Sequence, residues 1–82
     1  MNYPFTKPVP FKTLGRETDQ SYWGIRRLVQ AGIAPIVRFP NGFRVRPDWA
    51  NRYVQEGLTD SELKRLTAFN RSEKEAREAK SA

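Results

Sequence analysis

SYWGIRRLVQAGIAPIVRFPNGFRVR, residues 21–46, decides how this chain is read. At 100° per residue, Tyr22, Ile25, Leu28 and Val29 share one face of a helix, and Gly32 supplies its stop. In the second half, Asn41-Gly42 separates two short runs in which arginines alternate with phenylalanine and valine, the signature of a hairpin. A helix followed at once by a basic hairpin is therefore the expected centre of the fold.

Working outward, Asp19 is the expected N-cap of that helix. Its polar face would hold Gln20, Trp23, Gly24, Arg27 and Gln30, with Arg26 on the flank. Upstream, Pro10 at a first-turn position opens a short helix from Phe11 to about Glu17, with Phe11 and Leu14 apolar and Gly15 weakening its end. Two short helices joined by a turn, the second bearing arginines outward, form a helix-turn-helix or a plain αα-hairpin. In a major groove, Arg26 or Arg27 would pair with guanine edges and Gln20 with adenine, while Ser21 lies at the helix start. Trp23 would lie on a thymine methyl or the sugar backbone, and Gly24 would allow close approach. The alternative for Trp23 is packing on the arm or the hairpin.

For the hairpin, a three-residue loop, Pro40-Asn41-Gly42, pairs Phe39 with Phe43, Val37 with Val45 and Arg38 with Arg44. That register puts a greasy face on the helices and an arginine face outward. Like charges directly opposite each other are destabilising, so Arg38 and Arg44 would be retained for phosphates or a minor groove. Such a hairpin, extended by Arg46, is a wing, and the expected fold is mainly α with a small β-hairpin, a winged helix-turn-helix. A capping hairpin with solvated arginines is the other reading.

Beyond it, Pro47 and Asp48 start a helix with Trp49, Tyr53 and Val54 on its apolar face and Gly57 at its end. Thr59 to Glu62 reads as a capping box, followed by a helix to Asn70 whose narrow stripe is Leu63, Leu66 and Phe69. That stripe covers the core edge or contacts a protein partner. Residues 71–82 are charged, with Glu73 spaced to pair with Arg77, and are expected as a frayed helix or disordered tail. The organisation is thus an extended Pro-rich arm (1–8), a DNA-binding domain (9–57), a C-terminal helix (58–70) and the tail (71–82).

With 82 residues and 38% hydrophobic composition there is room for one core. Cysteine and histidine are absent, which excludes disulfides, thiolate or imidazole metal sites and Ser-His-Asp chemistry. Carboxylates such as Glu17, Asp19, Asp48 and Glu56 sit at helix ends without a paired partner, and no phosphate-cradling Gly loop appears. No enzyme activity, cofactor or small-molecule substrate is expected. No apolar run approaches the roughly 20 residues of a membrane helix, and MNYPFTKPVP has no apolar leader, so a cytoplasmic protein is expected. The net charge of +6 is concentrated in residues 1–57, which carry nine Lys and Arg against four Asp and Glu, most of the bases being arginine. An anionic partner follows, with duplex DNA first.

The run SYWGIRRLVQAGIAPIVRFPNGFRVRPDWANRYVQEG resembles the core of phage excisionases, especially Cox-type proteins, and the wider excisionase/AlpA/MerR-type winged-helix group. The resemblance rests on the helix ending IRRLVQAG, the link through Pro35, the strand-turn-strand, and RPDWANRY as the helix after it, over residues 9 to 57. It implies a recombination directionality factor that binds and bends DNA near a phage attachment site and assists integrase in prophage excision, in some members also repressing transcription. Residues carried over are Gln20, Ser21, Trp23, Gly24, Arg26 and Arg27 in the recognition helix, and Arg38, Asn41 and Arg44 in the wing, to which Arg46 is added from its place at the end of the hairpin. The implied partners are double-stranded DNA, a phage integrase and further copies bound cooperatively, in the nucleoid of a bacterial host. Two other readings are a regulator of AlpA or MerR type without a recombination role, and a basic inhibitor of an acidic host protein.

Overall fold

A computed structural model describes residues 4–81 of the chain. Four helices and one hairpin follow in the order α1 (Phe11–Glu17), α2 (Tyr22–Gln30), β1 (Ile36–Phe39), β2 (Gly42–Val45), α3 (Pro47–Glu56) and α4 (Asp60–Ser81). The protein is mainly helical, with one two-stranded antiparallel sheet.

The core forms where α1, α2, the base of β2 and α3 converge. Leu14, Ile25, Val45 and Ala50 are fully buried, with Phe11, Leu28, Ile33, Ala34 and Tyr53 around them. Val9, also buried, exchanges two backbone hydrogen bonds of 2.8 Å with Val45, so the chain entering α1 lengthens the sheet by one bridge. Ahead of it, Phe5 is held by Asn51, whose side chain accepts from the Phe5 N–H at 3.0 Å and donates to its carbonyl at 2.8 Å. Asn51 is the buried polar residue of α3, and these two bonds satisfy it as a strand neighbour would. The expected arm is therefore docked from Phe5 onward; its first three residues lie outside the described ones.

The turn between α1 and α2 corrects two expectations. Asp19 is not the N-cap of α2: it sits in the left-handed region at φ 56°, which Asp tolerates, and Ser21 caps the helix by accepting from the Gly24 N–H at 3.1 Å. Gly15 does more than weaken an end. The chain turns back so sharply that the Gln20 N–H reaches the Gly15 carbonyl at 2.7 Å, and a Cβ on Gly15 would stand 2.6 Å from the Gln20 carbonyl oxygen. Pro10 occupies the N-cap position of α1 rather than its first turn. Gly15→Ala should destabilise the protein by roughly 1–3 kcal/mol through this backbone clash, read as a lower urea midpoint at unchanged slope.

The hairpin register also differs from the expected one. Ile36 pairs with Val45, Val37 with Arg44, Arg38 with Phe43, and Phe39 with Gly42, leaving a two-residue loop of Pro40 and Asn41. Gly42, at φ 134°, takes the turn's strained conformation as the first residue of β2. The shift by one residue moves Arg38 and Arg44 onto opposite faces, so neither a wholly greasy nor a wholly arginine face exists. Each guanidinium lies over a phenylalanine of the other strand instead: Arg38 over Phe43 at 6.0 Å and Arg44 over Phe39 at 5.6 Å. Like charges are kept apart and each is offered a ring, so the argument from a tolerated like-charge pair falls away.

Helix α4 continues to Ser81, past Asn70, so the segment expected as a frayed or disordered tail is helical as far as the described residues run. Its start is the expected capping box, with the Glu62 N–H donating to Thr59 Oγ1 at 3.1 Å and the Thr59 N–H to Glu62 Oε1 at 2.8 Å. Glu62 also accepts from Arg52 through both oxygens at 2.8 Å and from the Trp49 indole at 2.9 Å. Trp49 in turn stacks on Tyr53, with centroids 4.8 Å apart. One carboxylate thereby fastens α4 to α3. Burial alone would raise the Glu62 carboxyl, but the Thr59, Trp49 and Arg52 donors together hold it below its ordinary value. A lowered folded-state value means that this stabilisation is present above the ordinary carboxylate range and lost as pH falls through the folded value. The melting-temperature gap between wild type and Glu62→Gln should accordingly be flat above about pH 5 and close at lower pH.

Candidate nucleic-acid interface

From Gln20 to Pro47 the chain carries five arginines and no acidic residue. Folding brings the two ends of this span, the start of α2 and the tip of the hairpin, to the sides of one open groove. Lys12 and Tyr22 line one side; Asn41, Phe43 and Arg44 line the other. Phe11 forms part of its floor and lies 5.9 Å from the Tyr22 ring.

Beyond Tyr22 on α2, Trp23 is 67% exposed, the most open large apolar side chain among the described residues, and meets Tyr22 edge-on at 5.3 Å. Arg26, one turn on, lies over the Trp23 ring at 5.3 Å. Across the groove Phe43 is 52% exposed, and Phe39, on the other face of the hairpin, is 41% exposed; both stand outside the core. Three exposed rings thus each lie near a guanidinium, Trp23 near Arg26 on α2, Phe43 near Arg38 on one face of the hairpin and Phe39 near Arg44 on the other. Cations held over rings stay extended and partly dehydrated, ready for phosphates or base edges, while the rings offer flat apolar contact.

Of the residues expected to recognise DNA, Trp23, Arg26, Arg38, Asn41 and Arg46 are exposed, and Arg44 is half-buried at the groove. The others are engaged within the protein. Gln20 lies ahead of α2 and donates to the Tyr53 hydroxyl. Burial, aided by the Glu62 charge and opposed by this hydrogen bond, raises the Tyr53 hydroxyl above its ordinary value. Ser21 is the cap, and a Cβ on Gly24 would come no closer than 3.4 Å, to the end of the flexible Gln20 side chain, so the turn itself does not require a glycine there. Arg27 turns toward α4, donating to Asn70 Oδ1 at 2.7 Å with its guanidinium 5.7 Å from the Phe69 ring. Arg65 on α4 returns the contact by donating to the Gly32 carbonyl at 3.2 Å.

The stripe expected to meet a protein partner divides in the same way. Leu66 packs against the core and Phe69 lies under Arg27, whereas Leu63 is 48% exposed. Sequence reasoning missed Tyr22, which was assigned to the core face yet is 44% exposed at the groove. It also missed Lys12 and the two exposed phenylalanines. The signal for Tyr22 was its place in the first turn of a short helix, where the buried stripe begins only at Ile25.

Comparison of the chain with protein-family models, with curated proteins and with solved structures gave no match. Among the described residues no helix is long and apolar enough to cross a membrane.

Proposed function

We propose that the chain is a winged helix-turn-helix DNA-binding protein that acts as a recombination directionality factor, an excisionase. In this reading α1 and α2 are the helix-turn-helix, the hairpin is the wing, and α2 enters the major groove with Trp23 and Arg26 foremost. Arg38, Arg44 and Arg46 take the adjacent backbone and minor groove. The single observation that carries it is the exposed Trp23–Arg26 pair at the edge of an acid-free groove whose other side is the arginine-bearing hairpin. The Arg38–Phe43 and Arg44–Phe39 pairs on the two faces of the hairpin support the same reading.

One module of this size buries roughly 600–1,000 Å² on DNA, which supports only modest specificity. Several copies on repeated sites near an attachment site would supply the rest, each adding contacts and a bend. The outward half of α4, charged with both signs, is the surface offered to integrase or to a neighbouring copy, and Leu63 is its exposed apolar point. Repression of transcription would use the same DNA contacts.

The test is a gel-shift titration on DNA flanking the protein's own gene and the nearest attachment site, at two salt concentrations. Laddered, strongly salt-sensitive shifts are expected, because phosphate contacts release counterions. Folded protein that shifts no duplex would overturn the DNA reading. Reconstituted excision with integrase then decides the role: stimulation is expected, and DNA binding without stimulation would leave a transcriptional regulator.

A further inference from the structure

Building on the DNA-binding reading, we infer that the hairpin tip is a wedge: the Phe39 ring, backed by Pro40, enters one base step of duplex DNA from the minor groove, while Arg38 and Arg44 reach the phosphates of its two walls.

The placement of Phe39 carries this. It belongs to the outermost pair of the hairpin, next to the two-residue loop; its cross-strand neighbour Gly42 has no side chain, and the cover the ring has is the Arg44 guanidinium on the same face, 5.6 Å from its centroid. The residue is 41% exposed and takes no part in the core. A single exposed phenylalanine is ordinary on a surface. Here it stands at a projecting tip with exposed Pro40 and Asn41, beside three arginines and no acid between Ile36 and Pro47.

Dimensions favour insertion over surface contact. The minor groove of regular duplex is about 6 Å wide. A ribbon whose strands lie about 4.8 Å apart, with side chains on both faces, exceeds that width once its side chains are added. The tip can seat only by opening the groove, and an apolar ring pressed between base pairs opens it while kinking the duplex toward the major groove. The observed register then gives the two arginines their use. Because Arg38 and Arg44 lie on opposite faces of the ribbon, each faces a different strand of a groove that the tip straddles. Arginines on one face would crowd a single strand.

The experiment uses duplexes with 2-aminopurine at successive steps of a bound site, titrated with the full chain, with Phe39→Ser and with Phe39→Trp, each checked by thermal melting. Gel shifts on the same duplexes read binding separately. For wild type and Phe39→Trp we expect fluorescence to rise several-fold at one step per bound copy. Phe39→Ser should bind about tenfold more weakly, as for loss of one stacking contact, and at saturation show no rise. Saturated wild-type complex without a rise at any step overturns the wedge and leaves the DNA reading standing. A rise retained by Phe39→Ser overturns it equally. If wild type binds no duplex, the DNA reading and the wedge fall together.

Discussion

Glu62→Ala should destabilise the protein by about 3 kcal/mol and lower its melting midpoint by roughly 10–20 °C, a loss on the scale of truncating a core side chain. Four hydrogen bonds end on this carboxylate, two from Arg52 and one each from Trp49 and the Thr59 N–H. Its side chain is only 15% exposed and that of Arg52 29%, so water replaces these bonds incompletely. Removing it takes away the carboxylate partner of Arg52, which keeps its bond to the Gly57 carbonyl, and leaves the indole N–H without its acceptor and the start of α4 without half of its capping box. Because Leu66 is the α4 side chain that packs against the core among the described residues, with Leu58 just ahead of the helix, α4 should loosen before the rest melts. Far-UV circular dichroism following helix content, beside tryptophan fluorescence following Trp49, would show this as two transitions. Coincident transitions near the wild-type midpoint would mean that Leu66 and the Arg27–Asn70 contact suffice to hold α4.

Which parts of this architecture were legible in the sequence follows from how local their causes are. The bounds of α1, the stops at Gly32 and Gly57 and the Thr59–Glu62 capping box are decided by residues within one or two turns, and they were read correctly. The hairpin was legible in place but not in register. Its alternation permits two pairings, and the choice between them is made by the base, where Val45 is fixed against Val9 and Ile36, and not by the tip. Putting Val45 opposite Ile36 fills the core; the arginines then fall on opposite faces as a consequence. The role of Gly15 was hidden because the atom that excludes a side chain there, the Gln20 carbonyl oxygen, arrives only when the turn closes.

The candidate site was legible in composition and only in part by residue. Helical periodicity assigned Arg27 and Gln20 outward correctly with respect to the α1–α2 core, but periodicity does not know that other helices will cover the outward face. Asn70 lies 43 residues from Arg27, and Tyr53 lies 33 from Gln20. Trp23 and Arg26 escaped such cover, and the sequence held no local sign of which arginine would be taken. Of the two uses open to the α4 stripe, Leu66 covers the core edge, while Phe69 lies under Arg27 outside the core.

That division gives the sharpest result expected on DNA. Trp23→Ala and Arg26→Ala should each weaken binding about 10- to 100-fold, the range for losing a base-stacking or bidentate contact, with thermal stability little changed. Arg27→Ala should do the reverse. It should loosen α4 and lower the melting midpoint by several degrees, since it removes a hydrogen bond and a cation-ring contact, while affecting affinity much less than Arg26→Ala. Salt separates the two effects further: if Arg26 meets a phosphate, its loss should reduce the slope of log affinity against log salt by about one, which Arg27 removal should not. Gel shifts at three salt concentrations, with melts of the same preparations, measure all of this. Equal losses at Arg26 and Arg27 would show that α4 releases Arg27 when DNA binds, making the Asn70 contact a competitor of the phosphate. A loss at Arg27 alone would place the recognition surface on the α4 side of α2, away from Trp23 and the groove.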